Sequence, residues 1–266
     1  MSVMRVRGIE LAYEVEGSGS PVVLLHGFPF NRSLWGEQVA ELRARHRVIT
    51  PDLRGLGESP PPDDEAATMD EMARDVAALM DELRATRAVV AGLSMGGYVA
   101  LSFQRMFSHR VRALVLADTR ATPDTEEQKQ AREEMARKAL DEGAEAVGEA
   151  MLPKLLAPRT LAERPETVAR LRAMMRKQKR RGVAAALRGM ALRRDHTPFL
   201  QNVLAPTLVV VGSEDALTPP TDAELLRREI RGSRLVKLEG AGHVSNLEAP
   251  EEFNRALLAF LKDLEP

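Results

Sequence analysis

Short strand-like and helix-like segments alternate along the first 118 residues of the chain. Residues 9–15 alternate between apolar and polar positions, and the turn at Gly8 predicts that they pair with residues 3–7. Residues 22–25 form a continuous apolar run, which is typical of a strand buried on both faces of a parallel sheet. Further strand-like runs follow at residues 47–50, 88–91 and 111–116.

Helical patterns occupy the segments between these strands. Residues 33–43 look helical, and a second helix is predicted from a capping box at Thr68 and Glu71 to residue 85. A third helical segment follows the strand at residues 88–91. Strand and helix in regular alternation predict a parallel α/β sheet.

This alternation stops at about residue 120. Residues 121–195 are helical throughout, with breaks predicted at Gly143, Pro153, Pro158, Pro165 and Gly182. Strand-like runs return at residues 207–211 and 235–238, and further helices follow Pro220 and Pro250. We therefore predict one α/β core domain, residues 1–119 and 197–266, which is interrupted by a helical insertion at residues 120–196.

Composition removes several classes of function. The formal net charge of −1 gives no reason to expect nucleic acid or an anionic membrane as a partner. No apolar run approaches the roughly 20 residues that span a bilayer, and the N-terminus has no apolar signal core, so we expect a cytoplasmic protein. The chain has no cysteine, which excludes disulfides, thiolate nucleophiles and Cys-type zinc sites. Its five histidines show no paired metal spacing, and no metal site is expected.

The segment Gly92-Leu93-Ser94-Met95-Gly96 stands between a predicted strand and a predicted helix. Strand, sharp turn and helix in that order predict a nucleophile elbow, in which the serine has a strained backbone conformation. Residues on either side of such a turn must be very small, which explains the two glycines. Ser94 is therefore the candidate nucleophile.

A serine hydroxyl needs a base, and the base needs an orienting acid. His243 lies in a glycine-rich loop directly after the strand at 235–238, and Asp215 directly follows the strand at 207–211. Loops at the carboxyl ends of parallel strands are favoured places for catalytic groups. We predict His243 as the base and Asp215 as the acid, with Glu214 and Asp118 as alternative acids.

Acyl transfer also requires donors for a developing oxyanion. The Met95 N–H, which follows the nucleophile, is one candidate, and the Phe28 N–H in the loop after residues 22–25 is the other. His26 has no partner in this scheme and is expected to shape the loop by hydrogen bonding. Phe30 and Trp35, together with Phe28 and Met95, are predicted to line the substrate pocket.

These motifs resemble those of the α/β-hydrolase superfamily over nearly the whole chain, and within it most resemble small esterases and 3-oxoadipate enol-lactonases. The matching segments are His26-Gly27-Phe28, residues 52–59, residues 92–97, residues 212–215 and Gly240-Ala241-Gly242-His243. The resemblance implies an eight-stranded, mostly parallel sheet flanked by helices, with a helical cap at the insertion. It also implies that Asp52 and Arg54 brace the oxyanion loop. Haloalkane dehalogenases and epoxide hydrolases of the superfamily have aspartate at the elbow, and Ser94 disfavours both chemistries.

The predicted function is hydrolysis of a small-molecule carboxylic ester or lactone through an acyl-enzyme, without a metal or an organic cofactor. The same residues could also serve C–C bond hydrolysis, perhydrolysis or acyl transfer, and the fold could serve as a slow or inactive ligand-binding receptor. The insertion is rich in arginine between residues 170 and 194. These arginines either bind a substrate carboxylate or form a solvated face balanced by acids. The sequence leaves the oligomeric state open.

Overall fold

A single sheet forms the centre of the structure, a computed structural model that describes residues 1–264. Within those residues the sheet has eight strands in the order β1-β2-β4-β3-β5-β6-β7-β8. β1 pairs with β2 and β2 with β4 in antiparallel fashion, and every later pair is parallel. The strands are β1 (Ser2–Val6), β2 (Ile9–Glu16), β3 (Ser20–Leu25), β4 (His46–Pro51), β5 (Ala88–Leu93), β6 (Val111–Ala117), β7 (Thr207–Gly212) and β8 (Arg234–Leu238).

Helices connect the strands and cover the sheet. Between β6 and β7 the chain forms a run of consecutive helices, α4 to α8, which we call the helical insertion. The α-helices are α1 (Gly36–Leu42), α2 (Met69–Glu82), α3 (Met95–Met106), α4 (Glu126–Glu142), α5 (Ala144–Leu155), α6 (Pro158–Glu163), α7 (Pro165–Arg176), α8 (Arg180–Ala191), α9 (Pro220–Glu229), α10 (Ser245–Glu248) and α11 (Pro250–Lys262).

Both faces of the central strands are buried. On β3, Val23 and Leu25 belong to the apolar cluster that contains the buried side chains of α2 and α3. Val22 and Leu24 alternate with them and belong to a second cluster that contains those of α11. Burial on two faces explains why these residues form a continuous apolar run. The predicted architecture, a mostly parallel eight-stranded sheet flanked by helices, is confirmed for residues 1–264.

The start of α2 follows the predicted capping box. The Thr68 hydroxyl accepts a hydrogen bond from the Glu71 N–H (3.2 Å), and the Glu71 carboxylate accepts one from the Thr68 N–H (3.1 Å). The helix predicted from residue 33 instead begins as a short 3₁₀ turn at Arg32–Trp35 and becomes α-helical only at Gly36.

Three of the five predicted breaks in the helical insertion are real. Gly143, with a φ of 100°, separates α4 from α5, and α6 and α7 begin at Pro158 and Pro165. The breaks predicted at Pro153 and Gly182 are wrong. Pro153 lies in the last turn of α5, whose neighbours Leu152 and Leu155 are buried, so packing holds the turn despite the missing N–H donor. Gly182 lies in the first turn of α8, and the close approach to Gly55 requires a glycine there, because an added Cβ would be 1.7 Å from the Gly55 carbonyl oxygen.

Candidate active site

Ser94 is the single residue between β5 and α3, and its backbone has the strained conformation that the elbow predicts. Its φ is 54° and its ψ is −116°, a region of backbone conformation that residues other than glycine rarely adopt. A Cβ added to Gly92 would lie 2.1 Å from the Gly96 carbonyl oxygen, and one added to Gly96 would lie 2.1 Å from the Leu25 carbonyl oxygen. Glycine is therefore required on both sides of the turn.

Ser94, His243 and Asp215 form a continuous chain of hydrogen bonds. The His243 Nε2 lies 2.8 Å from the Ser94 Oγ, and its Nδ1 lies 2.8 Å from one Asp215 oxygen and 2.9 Å from the other. A carboxylate can only accept, so Nδ1 carries the imidazole proton and Nε2 is free to accept the Ser94 O–H. His243 and Asp215 are buried, whereas Ser94 is partly exposed.

The environment of Asp215 favours its ionised form. Its carboxylate accepts bonds from the Leu217 N–H (2.8 Å), the Thr218 N–H (3.0 Å) and the Thr218 hydroxyl (2.7 Å). Burial alone would raise the pKa of Asp215, but the charge and hydrogen bond of His243 and the bonds from Thr218 outweigh burial and hold it below its usual value. Asp215 can therefore fix the His243 tautomer and stabilise the imidazolium.

Neither alternative acid is hydrogen-bonded to His243 within residues 1–264. Glu214 is exposed. Asp118 is buried and accepts bonds from the Gly212 N–H (2.9 Å) and the Ser245 hydroxyl (2.5 Å). Burial, together with the negative charge of Asp215, raises the pKa of Asp118 well above its usual value. Asp118 therefore connects the loop after β6 to the end of β7 and to α10.

The loop after β3 passes directly beside Ser94, as an oxyanion loop must. A Cβ added to Gly27 would lie 3.3 Å from the Ser94 Cβ. The Met95 amide is the first N–H of α3 and has no acceptor within that helix. The Phe28 amide likewise has no acceptor among the backbone groups of residues 1–264. Within residues 1–264, neither of these two N–H groups therefore has a backbone partner that would compete with an oxyanion.

His26 shapes this loop, as predicted. Its Nε2 accepts the Leu53 N–H at 2.9 Å, so its Nδ1 carries the proton and donates to the Gly27 carbonyl at 2.9 Å. Burial lowers the pKa of His26 below its usual value, which keeps the ring neutral and this tautomer in place.

Asp52 and Arg54 do not share one role. Asp52 accepts bonds from the backbone N–H of Arg32 (2.7 Å) and from its guanidinium group, and so ties down the chain just after the oxyanion loop. Arg54 instead forms two bonds to Asp75 on α2, at 2.7 and 2.8 Å. Arg54 therefore holds α2 rather than the oxyanion loop, which differs from the bracing role that the resemblance implies.

Ser94 and His243 open onto a cavity of about 280 Å³ between the sheet and the helical insertion. This volume is just below the range of about 300–1,000 Å³ for small-molecule sites. The cavity walls are largely apolar and include Phe28, Tyr98, Met135, Met151, Leu187 and Met190. Its charged lining residues are Arg120, Asp124, Arg132 and Lys154.

Phe30 and Trp35 do not line this cavity, contrary to the prediction. Both are completely buried in the apolar core, where the Trp35 ring lies 6.0 Å from the ring of Phe253 on α11. Their closeness to Phe28 in sequence is misleading, because the chain turns into the core after the oxyanion loop. Met95 is also fully buried, so it can contribute its amide but not its side chain.

The insertion supplies the remaining cavity walls. Met135, Met151 and Met190 line the cavity, whereas Met174 and Met175 pack in the core. None of the arginines between residues 170 and 194 lines it within the described part of the chain. Several of these arginines form ion pairs with acidic residues outside the cavity, as Arg172 does with Glu149. These pairs match the alternative in which the arginines form a solvated face balanced by acids.

Sequence reasoning missed Arg120, Arg132 and Lys154. A signal for Arg132 was present, because Gln128, Ala131, Arg132 and Met135 share one face of α4 by their spacing.

Among the helices of residues 1–264, none combines the length and the apolar character that a membrane span requires.

Known proteins match this chain over most of its length. A sequence model of the family described as alpha/beta hydrolase fold matches residues 20–250. The 3-oxoadipate enol-lactonase 2 of Acinetobacter baylyi is 31% identical over 232 residues, which are 87% of this chain and 85% of that protein.

Solved structures with the same fold match almost the whole chain. A thermophilic esterase from Thermogutta terrifontis, with malate bound, is 42% identical with a TM-score of 0.95, and the match covers 99% of this chain and 97% of that one. The enol-lactonase from Burkholderia xenovorans LB400 is 30% identical with a TM-score of 0.92, and the match covers 98% of this chain and 100% of that one.

Proposed function

The chain belongs to the α/β-hydrolase family, and from that premise we propose that it is a serine hydrolase that cleaves carboxylic esters or lactones through an acyl-enzyme. One observation carries the proposal: the unbroken hydrogen-bond chain from Ser94 through His243 to Asp215, which opens onto a cavity. The similarity to an esterase and to two enol-lactonases supports the choice of ester and lactone bonds.

The first half-reaction uses these groups in turn. The Ser94 Oγ attacks the substrate carbonyl carbon while the His243 Nε2 takes the hydroxyl proton. The charge that develops on the carbonyl oxygen is stabilised by the Phe28 and Met95 N–H groups. His243 then gives its proton to the leaving alkoxide, and the carbonyl carbon stays attached to Ser94 as an ester.

The second half-reaction repeats the first with water as nucleophile. The His243 Nε2 takes a proton from water, which attacks the acyl carbon, and the proton then returns to the Ser94 Oγ as the acid leaves. Asp215 keeps the imidazole oriented and stabilises its charged form in both halves. In a lactone, the leaving alkoxide remains part of the released hydroxy acid.

Substitution of the nucleophile tests this proposal. Ser94→Ala should reduce the hydrolysis of a short p-nitrophenyl ester by on the order of 10⁶-fold in kcat, because no other group can form the acyl-enzyme. The assay follows p-nitrophenolate release by the wild type and by the variant, with circular dichroism to show that both are folded. Turnover by the folded variant at the wild-type rate would contradict the assignment.

A substrate panel tests the rival chemistries of the same residues. A C–C hydrolase would cleave a vinylogous diketone faster than any ester, and a perhydrolase or acyltransferase would prefer peroxide or another acceptor to water. Turnover on the scale of minutes or longer with every ester would instead favour a receptor-like role. We expect ester hydrolysis to be the fastest of these reactions.

A further inference from the structure

Thr218 touches two of the three side chains that the proposed reaction uses. Its hydroxyl oxygen lies 2.7 Å from an Asp215 carboxylate oxygen and 3.3 Å from the His243 Nδ1. We infer that Thr218 is a positioning residue, whose hydroxyl keeps Asp215 aligned with His243 and limits how strongly that carboxylate binds the imidazolium. The inference rests on the proposed function and adds to it the residue that adjusts the base.

The protons of this cluster leave one donor role for the Thr218 hydroxyl. The Asp215 carboxylate only accepts, and the His243 Nδ1 already carries the imidazole proton, so the hydroxyl donates to Asp215. At 2.7 Å this is a charge-assisted hydrogen bond. The Thr218 oxygen lies 3.3 Å from Nδ1, which is longer than an ordinary N–H···O bond. The bond to Asp215 therefore decides the net effect of Thr218.

Donation from Thr218 makes Asp215 a weaker acceptor for His243. A hydrogen bond to a carboxylate stabilises its negative charge, so less of that charge acts on the imidazolium that forms when His243 takes the Ser94 proton. Without the hydroxyl, Asp215 loses an anchor and binds the imidazolium more strongly. The reacting groups are then less well aligned, and the acid limb of kcat/KM lies at higher pH.

The local sequence holds the Thr218 side chain in place. Pro219 follows it, and α9 begins at Pro220. A residue before proline is confined to extended backbone conformations, and a β-branched side chain has few rotamers. Thr218 is also buried, and its own N–H and that of Leu217 bond to Asp215. The hydroxyl is therefore preorganised and needs no rearrangement during the reaction.

Other charged groups surround the bond between Asp215 and His243. Three carboxyl groups lie near it on neighbouring elements, those of Asp118, Asp222 and Glu248. The charged side chains of the cavity wall are those of Arg120, Asp124, Arg132 and Lys154. All of these charges stay in place when Thr218 is substituted, because its hydroxyl carries none. A change of pH dependence on loss of the hydroxyl therefore reports the hydrogen bond itself.

Removal of the hydroxyl tests the inference. Thr218→Val should lower kcat/KM about tenfold, the effect of one charge-assisted hydrogen bond, and by the same factor for p-nitrophenyl acetate and p-nitrophenyl butyrate. The loss should be larger at about pH 5 than at about pH 8, because the acid limb moves to higher pH. Thr218→Ser keeps the hydroxyl and should restore both the rate and its pH dependence. Thr218→Ala removes the hydroxyl without placing a methyl group against Asp215, and should repeat both changes if the valine variant does not fold.

Thr207→Val is the matched control. Thr207 is also buried, but its hydroxyl donates to the Ala205 carbonyl at 2.9 Å, at the start of β7 and at the opposite end of that strand from Asp215. The control should leave the rate and its pH dependence unchanged. An unchanged kcat/KM in Thr218→Val would overturn the inference. So would an equal loss at both pH values, which indicates a purely structural role, or a loss for one ester only, which indicates a substrate contact, since Thr218 also lines the cavity.

A signal that needs no turnover separates this inference from the proposed function. Proton NMR should show the His243 Nδ1 proton far downfield, assigned by its absence in His243→Ala, and Thr218→Val should move it further downfield because Asp215 becomes a stronger acceptor. An unmoved signal in a protein that hydrolyses esters would overturn the role of Thr218 and leave the serine hydrolase intact. If the wild type hydrolyses neither ester and Ser94 does not react with a fluorophosphonate, the proposed function fails instead. The signal then still decides whether Thr218 adjusts the bond between Asp215 and His243.

Discussion

Asp118 and Asp215 follow neighbouring strands and are both buried, but they differ in what their carboxyl oxygens contact. The Asp215 carboxylate accepts a hydrogen bond from the His243 Nδ1–H, whereas the Asp118 carboxylate accepts hydrogen bonds from the Gly212 N–H and the Ser245 hydroxyl. The two side chains also differ in charge preference. The pKa of Asp215 is lowered by His243 despite its burial, and the pKa of Asp118 is raised by burial and by the charge of Asp215.

This difference predicts opposite results for two equivalent substitutions. Asp215→Asn should lower kcat by about 10⁴-fold, because an amide no longer fixes the productive His243 tautomer. Asp118→Asn should keep turnover within about tenfold, because the amide oxygen can still accept the Gly212 N–H and the amide N–H can donate to the Ser245 hydroxyl. Steady-state kinetics on one ester measures both. The assignment of the acid is wrong if Asp118→Asn is the more damaging change.

Sequence reasoning succeeds at this scale where the chemistry is local. The elbow glycines, Asp215 and His243 all sit within a few residues of a strand end, so their positions follow from the strand pattern. Sequence proximity alone places Phe30 and Trp35 in the pocket, whereas both side chains are buried in the core. Their burial depends on how α11 packs against the chain after β3, which no local pattern specifies.

At the scale of elements, two buried polar side chains join the helical insertion to the loops of the site. The Glu248 carboxylate accepts the Gly242 N–H, next to His243, and the Ala157 N–H, directly before α6, both at 2.9 Å. The Gln178 side chain accepts the Gly57 N–H at 2.9 Å and donates to the Phe30 carbonyl at 3.2 Å. The position of the insertion and the positions of both loops are therefore coupled.

Glu248→Gln should weaken one of these connections. The amide can accept only one of the two N–H groups and leaves the other unpaired, which costs about 1–3 kcal/mol of the free energy of unfolding. We also expect kcat to fall, since the loop that carries His243 loses an anchor. Urea unfolding and steady-state kinetics measure the two effects.

A matched control separates this anchor from a general effect of lost charge. Glu41→Gln removes a carboxylate from the exposed surface of α1, where it forms no ion pair within residues 1–264, and should change the free energy of unfolding by less than about 0.5 kcal/mol. Equal effects of the two substitutions would show that Glu248 does not anchor the loop.

At the scale of the whole molecule, carboxylates that are buried or partly buried make stability depend on pH. Burial opposes the ionisation of Asp70, but hydrogen bonds from Arg105 and Ser102 outweigh burial and lower its pKa. Burial likewise opposes the ionisation of Asp124, but the charges and hydrogen bonds of Arg132 and Arg193 outweigh it and lower its pKa. A group with a lowered folded pKa stabilises the protein above its unfolded pKa of about 3.9. That contribution is lost as the pH falls through the folded pKa.

We therefore expect the free energy of unfolding to fall as the pH drops below about 4. Asp118 acts in the opposite sense, because its raised pKa favours the folded state at low pH and loses that contribution as the pH rises. Urea unfolding at a series of pH values gives the profile, and Asp124→Asn should flatten its acid limb. A wild-type profile that rises toward pH 3 would contradict this balance of carboxyl groups.

The limits of prediction from sequence are also visible at this scale. The succession of strands and helices along the chain, and the helical run between β6 and β7, follow from periodicity, because each element carries its own apolar pattern. The positions of the cationic residues in the cavity do not follow from periodicity. Arg120, Arg132 and Lys154 come together only when α4 and α5 fold over the end of the sheet. The division into a core domain and a cap stays a prediction.

The central claim is that Ser94 is the activated nucleophile, and covalent labelling tests it most directly. The wild-type protein is treated with a fluorophosphonate, digested, and analysed by peptide mass spectrometry, beside Ser94→Ala protein treated in the same way. We predict one adduct, on the peptide that contains Ser94, and none on the variant. An adduct on another residue, or equal labelling of Ser94→Ala, would contradict the account.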